Sequence, residues 1–298
     1  MTFRWSKGFS PLQTIKRGIA SLFVCTVVLL PLILVGVQVY GWLGGDDPRS
    51  TKPLAAMQVR TIDATDDVVK PFDQPLITVT FDDGWESVYN QAMPLLQKYG
   101  IPTTQYVLSG TADNYSYMNW QQIKNTSQSG HDIQCHSIDH ADLTLLSQKD
   151  MLRELTSCKN DVEKKVGVKV SDFASPYGAT NESTITAIKQ NYRSHRNTDG
   201  DITTNIANQQ DINVRANFNR YDITAVTIRR ETTDAQLQAV IDYTIKNNGW
   251  LVFNYHQIDD GPSQFGLDSK VLERQFQILN RAPARIVTVD QVLDVIGK

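Results

Sequence analysis

The sequence predicts an α/β fold, a distorted (β/α)7–8 barrel that follows one N-terminal transmembrane helix. Three observations lead to this prediction. Predicted strands alternate with predicted helices from residue 75 onward, as in a parallel sheet covered by helices. An uncharged apolar stretch at residues 19–42 is long enough to span a bilayer. Chemically reactive residues directly follow several predicted strands, where barrels place their functional sites.

Length and charge limit the classes of function. The chain has 298 residues, 41% of them hydrophobic, which suffices for one large domain or two small ones. Its net charge is −3, but residues 1–50 carry five Lys or Arg and two Asp, so the remainder holds −6. A mildly acidic body lacks the basic surface that nucleic acid requires. We therefore expect no nucleic-acid partner.

The apolar stretch at residues 19–42 divides the chain. Basic residues precede it and acidic residues follow it: Arg4, Lys7, Lys16 and Arg17, then Asp46 and Asp47. The positive-inside rule places residues 1–18 in the cytoplasm and the body outside. A cleaved signal peptide is the alternative, but Val39-Tyr40-Gly41 matches a cleavage site poorly, so an uncleaved anchor is favoured. Residues 43–74 are predicted to be a linker and residues 75–298 the main domain.

Strands and helices alternate through the main domain. Strands are predicted at residues 77–81, 103–108, 132–136, 172–175, 192–196, 250–255 and 286–289. Helices are predicted at residues 86–99, 118–129, 148–166, 233–248, 268–279 and 290–296, with one more beginning after a cap at Asn181. Glycines end several of them, at Gly100, Gly130, Gly167 and Gly249. Residues 212–228 contain extended segments that the pattern does not assign.

Two carboxylates follow the first strand directly. Residues 76–84 read Leu-Ile-Thr-Val-Thr-Phe-Asp-Asp-Gly, so a buried strand ends in Asp82 and Asp83. Neighbouring carboxylates repel each other, and a site that keeps both usually also holds a cation. An ordinary Asp-Asp-Gly turn is the alternative.

Histidines follow two other strands. His136 ends the third strand, His140 comes four residues later, and His256 ends the strand at residues 250–255. Two imidazoles and a carboxylate form a common ligand set for a catalytic divalent metal. Solvated or core histidines are the alternative. The carboxylate pair and the third histidine at other strand ends make that alternative less favoured.

These segments resemble the polysaccharide deacetylases of carbohydrate esterase family 4, the NodB-homology domain, over residues 75–298. Four motifs carry the resemblance: Thr80-Phe81-Asp82-Asp83-Gly84, His136-Ser137-Ile138-Asp139-His140, Ser175-Pro176-Tyr177-Gly178, and Trp250-Leu251-Val252-Phe253-Asn254-Tyr255-His256. Their order and spacing together are specific to the family.

The resemblance implies a role for each motif. It makes Asp82 the catalytic base and His256 the general acid, and it assigns the backbone N–H of Tyr177 to stabilising the oxyanion. It implies a divalent metal, zinc with cobalt or nickel as alternatives, on three ligands: Asp83, His136 and His140.

Two departures from the family pattern stand out. The Arg that precedes Pro-Tyr in the third motif is absent, since Ala174 and Ser175 occupy that region. The Asp and Trp of the fourth motif are not recognisable in residues 192–196, Tyr-Arg-Ser-His-Arg. Family members that act on β-1,6-linked N-acetylglucosamine polymers also tend to lack that Arg. Our hypothesis is that Arg196 supplies the missing positive charge.

The leading functional hypothesis is a membrane-anchored, metal-dependent deacetylase of N-acetylated extracellular or cell-wall polysaccharide. The alternatives are an O-acetyl esterase on a glycan, a non-catalytic glycan-binding module, and a hydrolase of small cyclic amides. Trp85 follows the Asp-Asp-Gly turn and could line a sugar subsite or pack against the barrel rim.

Two cysteines lie in the main domain. Cys135 precedes His136 on the opposite face of an alternating strand, and Cys158 lies on the following helix. An oxidising compartment allows a disulfide between them, while two buried free thiols remain the alternative.

Overall fold

A computed structural model describes Phe72 and residues 74–203, 211–213 and 218–296. The predicted cytoplasmic segment at residues 1–18 and the predicted membrane anchor at residues 19–42 lie outside this part of the chain. Within it, no helix combines the length and the apolar character needed to cross a membrane.

The described elements alternate as the sequence predicts. The strands are β1 (Leu76–Asp83), β2 (Thr103–Val107), β3 (Asp132–Cys135), β4 (Asp172–Ala174), β5 (Ser194–Arg196), β6 (Val226–Thr227), β7 (Trp250–Tyr255) and β8 (Arg285–Ile286). The helices are α1 (Met93–Tyr99), α2 (Trp120–Gln128), α3 (Gln148–Val166), α4 (Glu182–Asn191), α5 (Asp234–Asn247), α6 (Ser269–Arg281) and α7 (Val289–Ile296).

The strands form one curled parallel sheet. Its order is β5-β4-β3-β2-β1-β7-β6, and β8 pairs with β1 outside this path. Two isolated parallel bridges continue the pairing at the β5 edge. Arg196 in β5 pairs with Ile223, just before β6, and Gly200, just after β5, pairs with Val226 in β6. This curled parallel α/β sheet fits the predicted distorted (β/α)7–8 barrel. All described strands are parallel, so their carboxyl ends lie at the same end of the curled sheet. Asp82 and Asp83 lie there because they are the last two residues of β1.

The side chains of strand β1 alternate between the two sides of the sheet. Ile77, Val79 and Phe81 belong to a buried apolar cluster, as expected for the side of the sheet that helices cover. The alternate residues Thr78, Thr80 and Asp82 are also buried, and Thr78 Oγ1 accepts a hydrogen bond from the Trp250 indole on β7 at 2.9 Å. The alternation therefore directs Asp82 to the opposite face from the helix-packed core.

Most element boundaries lie within two residues of the prediction, and two differences have a structural reason or change the type of element. The first predicted helix begins with a π-helical turn, Val88–Ala92, before α1. The strand predicted at residues 286–289 is wrong at its end, because α7 begins at Val289. The reason is a cap: Gln291 N donates to Thr288 Oγ1 at 3.2 Å and Thr288 N donates to Gln291 Oε1 at 3.1 Å. This reciprocal pair is a capping box, and it starts a helix inside an apolar run.

The structure assigns positions to parts of two regions that the sequence pattern did not. The unassigned residues 212–228 contain β6. Phe72, in the predicted linker, is 5% exposed and packs edge-on against Phe218 and Trp250, with ring centroids 5.9 and 6.0 Å apart. At least this residue of the predicted linker contributes to the core of the main domain.

A disulfide joins Cys135 at the end of β3 to Cys158 on α3, with Cα atoms 6.1 Å apart. The bond closes a loop with a sequence separation of 23 residues. Restricting the unfolded chain in this way typically stabilises a protein by about 2–4 kcal/mol. We therefore expect reduction of the full-length protein to lower its free energy of unfolding by about that amount.

Urea unfolding with and without dithiothreitol measures this effect. A variant with both cysteines changed to serine is the control, since reductant should not change its urea midpoint. An unchanged midpoint for the reduced wild-type protein would contradict the prediction.

Candidate active site

The aspartate pair at the end of β1 is split by its backbone. Asp83 adopts a left-handed conformation with φ of +74°, which only a minority of non-glycine residues adopt. The two side chains share His136 as a neighbour but differ in their other partner. Asp82 lies 3.8 Å from His136 Nε2 and is bound by Arg196, whereas Asp83 lies 3.6 Å from both His136 Nε2 and His140 Nε2. The arginine is thus on the side of Asp82 and the second histidine on the side of Asp83.

Asp83, His136 and His140 form the candidate metal centre. One ligand atom from each lies within 4.8 Å of the others, and Asp83 Oδ1 is 3.6 Å from Nε2 of both histidines. The Trp85 indole N–H donates to Asp83 Oδ2 at 2.9 Å. Asp83 Oδ1 is buried and accepts no hydrogen bond from any described residue. A buried carboxylate oxygen without a donor, facing two imidazoles, fits a cation.

The protonation states fit the same ion. His136 Nδ1 donates to the carbonyl of Ala174 at 2.8 Å, which leaves the Nε2 lone pair directed toward Asp83. Burial lowers the pKa of His136 to about 3, so its imidazole is neutral and able to bind metal. Burial, together with the charge of Asp82, raises the pKa of Asp83. A bound cation would offset this cost. One oxygen and two nitrogen ligands suit zinc and leave coordination positions open.

Asp82 is held by a buried arginine. Arg196 Nη2 donates to both carboxylate oxygens of Asp82 at 2.6 Å, and the two side chains are 0% and 2% exposed. Burial alone would raise the pKa of Asp82, but the charge of Arg196, aided by His136 and His256, outweighs burial and lowers it. Asp82 is therefore ionised at neutral pH.

The sheet register explains how Arg196 reaches this position. Strand β5 pairs with β4 so that Arg196 is opposite Ala174, in the region where the family pattern has its arginine. The guanidinium also lies 4.9 Å from the ring centroid of Tyr106 on β2, a cation–π distance. The positive charge thus comes from the neighbouring strand.

Backbone strain is concentrated at this face. Of the seven described non-glycine residues with positive φ, four lie in the predicted motifs: Asp83, Ser137, His140 and Tyr177. The Tyr177 ring packs edge-on against the His140 ring, with centroids 4.3 Å apart, so the third motif contacts the candidate metal centre. Such conformations cost of order 1–3 kcal/mol each and cluster at functional sites.

His256 follows β7 in a distinct environment. Its Nδ1 is buried and has no hydrogen-bond partner among the described residues, in line with the unrecognisable fourth motif. Its ring packs against Phe265 with centroids 4.9 Å apart, and the Arg229 guanidinium lies 5.1 Å from the Phe265 ring centroid. Burial lowers the pKa of His256, although the charges of Asp83 and Asp82 act in the opposite direction.

The sequence did not reveal the contact of Trp85 with the metal centre. The indole N–H of Trp85 donates to Asp83, and the Trp85 ring stacks on Tyr117 with centroids 4.6 Å apart. The contact with Asp83 was in neither of the two predicted roles, which were lining a sugar subsite and packing against the barrel rim. The available signal was an indole donor two residues after the predicted ligand.

Comparisons with known proteins agree with this geometry. Residues 69–193 match the model of the family described as polysaccharide deacetylase. The Bacillus subtilis (strain 168) protein YxkH is 27% identical over 149 residues, covering 50% of this chain and 51% of that protein. The poly-β-1,6-N-acetyl-D-glucosamine N-deacetylase of Staphylococcus aureus (strain MSSA476) is 23% identical over 133 residues, covering 40% and 46%. The chain thus spans about half the length of these curated relatives.

A solved structure shares the fold. The Xyl-CE4 domain of a multidomain xylanase from the hindgut metagenome of Trinervitermes trinervoides superposes with a TM-score of 0.53 at 19% identity, covering 75% of this chain and 91% of that one.

The curled parallel sheet places an aspartate pair and three histidines at or just after the carboxyl ends of its strands, as the sequence motifs predict. Residues 69–193 match the polysaccharide deacetylase family, which confirms the resemblance to carbohydrate esterase family 4 seen in the motifs.

Proposed function

We propose that this chain is a metal-dependent hydrolase that removes N-acetyl groups from N-acetylglucosamine-containing extracellular or cell-wall polysaccharide. The observation that carries the proposal is the split aspartate pair. Asp82 is ionised and forms a salt bridge with the buried Arg196. Asp83 has one carboxylate oxygen that accepts no hydrogen bond from a described residue and lies beside the imidazoles of His136 and His140. A base and a metal ligand side by side are what amide hydrolysis by an activated water requires.

The residues divide the attack on the amide among them. Asp83, His136 and His140 would hold a divalent metal, zinc in our proposal, which supplies a Lewis acid for the acetyl carbonyl and the water. Asp82 accepts the proton of the attacking water, since its lowered pKa keeps it ionised. The backbone N–H of Tyr177 donates to the acetyl oxygen as negative charge develops there.

His256 completes the cleavage of the carbon–nitrogen bond. Because the amine must leave neutral, a proton has to reach its nitrogen as the bond breaks. Protonated His256 would supply this proton. Its lowered pKa makes the imidazolium a stronger acid than usual and also reduces the fraction of the protein that holds this proton at neutral pH. The products are acetate and a free amino sugar. Water supplies the atoms that the acyl group gains.

The test is acetate release from N-acetylglucosamine oligomers by full-length protein, with and without a chelator. Release that stops in chelator and returns with zinc supports the proposal. Release only from O-acetylated glycans indicates an esterase. Binding of acetylated oligomers without any acetate release indicates a glycan-binding module and refutes the proposed hydrolysis.

We further propose β-1,6-linked N-acetylglucosamine polymer as the substrate. Two observations support this choice: the arginine is absent from the third motif, and the Staphylococcus aureus relative is named for that polymer. Equal amounts of β-1,6 and β-1,4 oligomers compare the linkages directly. We expect faster acetate release from the β-1,6 series, and faster release from the β-1,4 series would contradict this assignment.

We also propose that residues 19–42 anchor the protein in a membrane, with the catalytic domain on the extracytoplasmic side. The support is the uncharged apolar length and the basic residues before it. We expect the full-length protein to stay in membranes after alkaline carbonate washing and to be degraded by protease added to intact spheroplasts. Release by carbonate, or protection from the protease, would contradict the proposal.

A further inference from the structure

A buried carboxylate on the outer helix α3 is directed at the loop that carries the two histidines. Glu154 is 1% exposed, and its Oε2 accepts a hydrogen bond from the backbone N–H of Ile138 at 2.9 Å. Ile138 lies midway between His136 and His140. An acidic side chain is rarely fully buried without specific partners, so this contact needs an explanation.

The loop has an unusual backbone that needs external support. Ser137 and His140 both have positive φ, at +78° and +66°. His140 N donates to Ser137 Oγ at 3.0 Å, a bond internal to the loop that does not fix it to the barrel. Fixing such a loop requires contacts from neighbouring elements.

The segment after β2 supports one side of the loop. Ser109 N donates to the Ser137 carbonyl at 3.2 Å and Gly110 N donates to the Ile138 carbonyl at 2.8 Å. A Cβ on Gly110 would lie 2.7 Å from Ile138 Cγ2 and 2.9 Å from its carbonyl oxygen, so only glycine permits this approach. The carbonyls of the loop are thereby fixed. Its Ile138 N–H points the other way, to Glu154.

We infer that Glu154 is a positioning residue for the metal centre. Its carboxylate holds Ile138, and with it the spacing of the His136 and His140 imidazoles around Asp83. Arg153 Nη2 donates to the other oxygen, Oε1, at 3.2 Å, so both carboxylate oxygens have a donor. Cys158, one turn further along α3, bonds to Cys135 beside His136, which fixes the helix against the same strand. The inference rests on the proposed metal-dependent function.

The test compares zinc affinity in full-length variants, measured by competition with a chromophoric chelator in the absence of substrate. Glu154→Asp keeps the charge but is one methylene too short to reach Ile138. We expect it to weaken zinc binding by about 10- to 100-fold, the range typical of losing a contact just outside the ligand set. Glu154→Gln keeps both the length and an acceptor oxygen, so we expect an affinity near that of the wild-type protein.

The same helix offers a matched control. Glu163 Oε1 accepts a hydrogen bond from the backbone N–H of Val170 at 3.1 Å, near the opposite end of α3. Glu163→Asp therefore breaks the same type of contact and should leave zinc affinity unchanged. Circular dichroism verifies that each variant is folded.

Wild-type zinc affinity in folded Glu154→Asp would overturn the inference. Hydrogen exchange of the wild-type Ile138 amide gives a second measurement that needs no variant: protection is expected, and exchange at the rate of an unstructured peptide would overturn the inference as well. A wild-type protein that binds zinc but releases no acetate would refute the proposed hydrolysis alone.

Discussion

Replacing Asp82 by asparagine should abolish turnover while leaving the metal in place. The amide keeps the shape of the carboxylate but cannot accept the proton of the attacking water. Loss of a general base costs about 10²–10⁴-fold in kcat. Zinc affinity should change little, because both oxygens of Asp82 are bound by Arg196 and Asp82 is outside the group of three converging ligand atoms, which Asp83, His136 and His140 provide. Acetate release and zinc titration of the same preparation measure both quantities.

Asp83→Asn is the matched comparison one residue along the chain. It replaces the oxygen that lies 3.6 Å from both imidazoles, so zinc affinity should fall by more than the roughly 10- to 100-fold cost of losing an outer partner of a ligand. Excess zinc should partly restore turnover in Asp83→Asn and should not restore it in Asp82→Asn. If both variants bind zinc and turn over normally, the division of roles between the two aspartates is wrong.

The barrel could be predicted because its signals are local. Strands β1 and β2 are rich in β-branched residues, and glycines follow several of the helices. The prediction failed where a local signal competed with an apolar run, as at Thr288, whose capping box with Gln291 starts α7 at the predicted end of a strand. Strand β6, two residues long, is too short for a period-two pattern to identify.

The site was predictable to the extent that its residues end strands. Parallel strands bring Asp82, His136 and His256 to one face whatever the details of packing. Contacts between distant parts of the chain left no such signal. Glu154 is one of several acidic residues on a polar-faced helix, and only the packing of α3 shows that it is buried at the histidine loop.

Arg196 was an intermediate case. Because the third motif lacks its arginine, the sequence predicts that another residue supplies positive charge near Asp82. Residues 192–196 contain two candidates, Arg193 and Arg196. Distinguishing Arg196 from Arg193, three residues earlier, requires the strand direction. Arg196 ends β5 at the catalytic face, whereas Arg193 precedes β5 and donates to Asp172, the first residue of β4, at 3.2 Å.

Replacing Arg196 by methionine should therefore shift the acid limb of the activity profile to higher pH. Burial would then act on Asp82 without the charge that outweighs it, so the pKa of Asp82 would rise. A buried charge that has lost its partner typically costs about 3–5 kcal/mol of stability. Activity at neutral pH should fall, recover in part as pH rises, and do so without loss of zinc affinity.

Stability should show the opposite pH dependence in the two proteins. In the wild-type protein, the lowered pKa of Asp82 stabilises the fold above the unfolded value near 3.8, and this contribution is lost as pH falls through the folded pKa. In Arg196→Met, the raised pKa of Asp82 means that the folded state holds its proton more tightly, so stability decreases as pH rises above the unfolded value.

Arg193→Met is the control, because it also removes an arginine from a buried carboxylate but leaves Asp82 paired. We expect Arg193→Met to lower stability without moving the acid limb. A wild-type pH profile in folded Arg196→Met would show that Arg196 does not control Asp82.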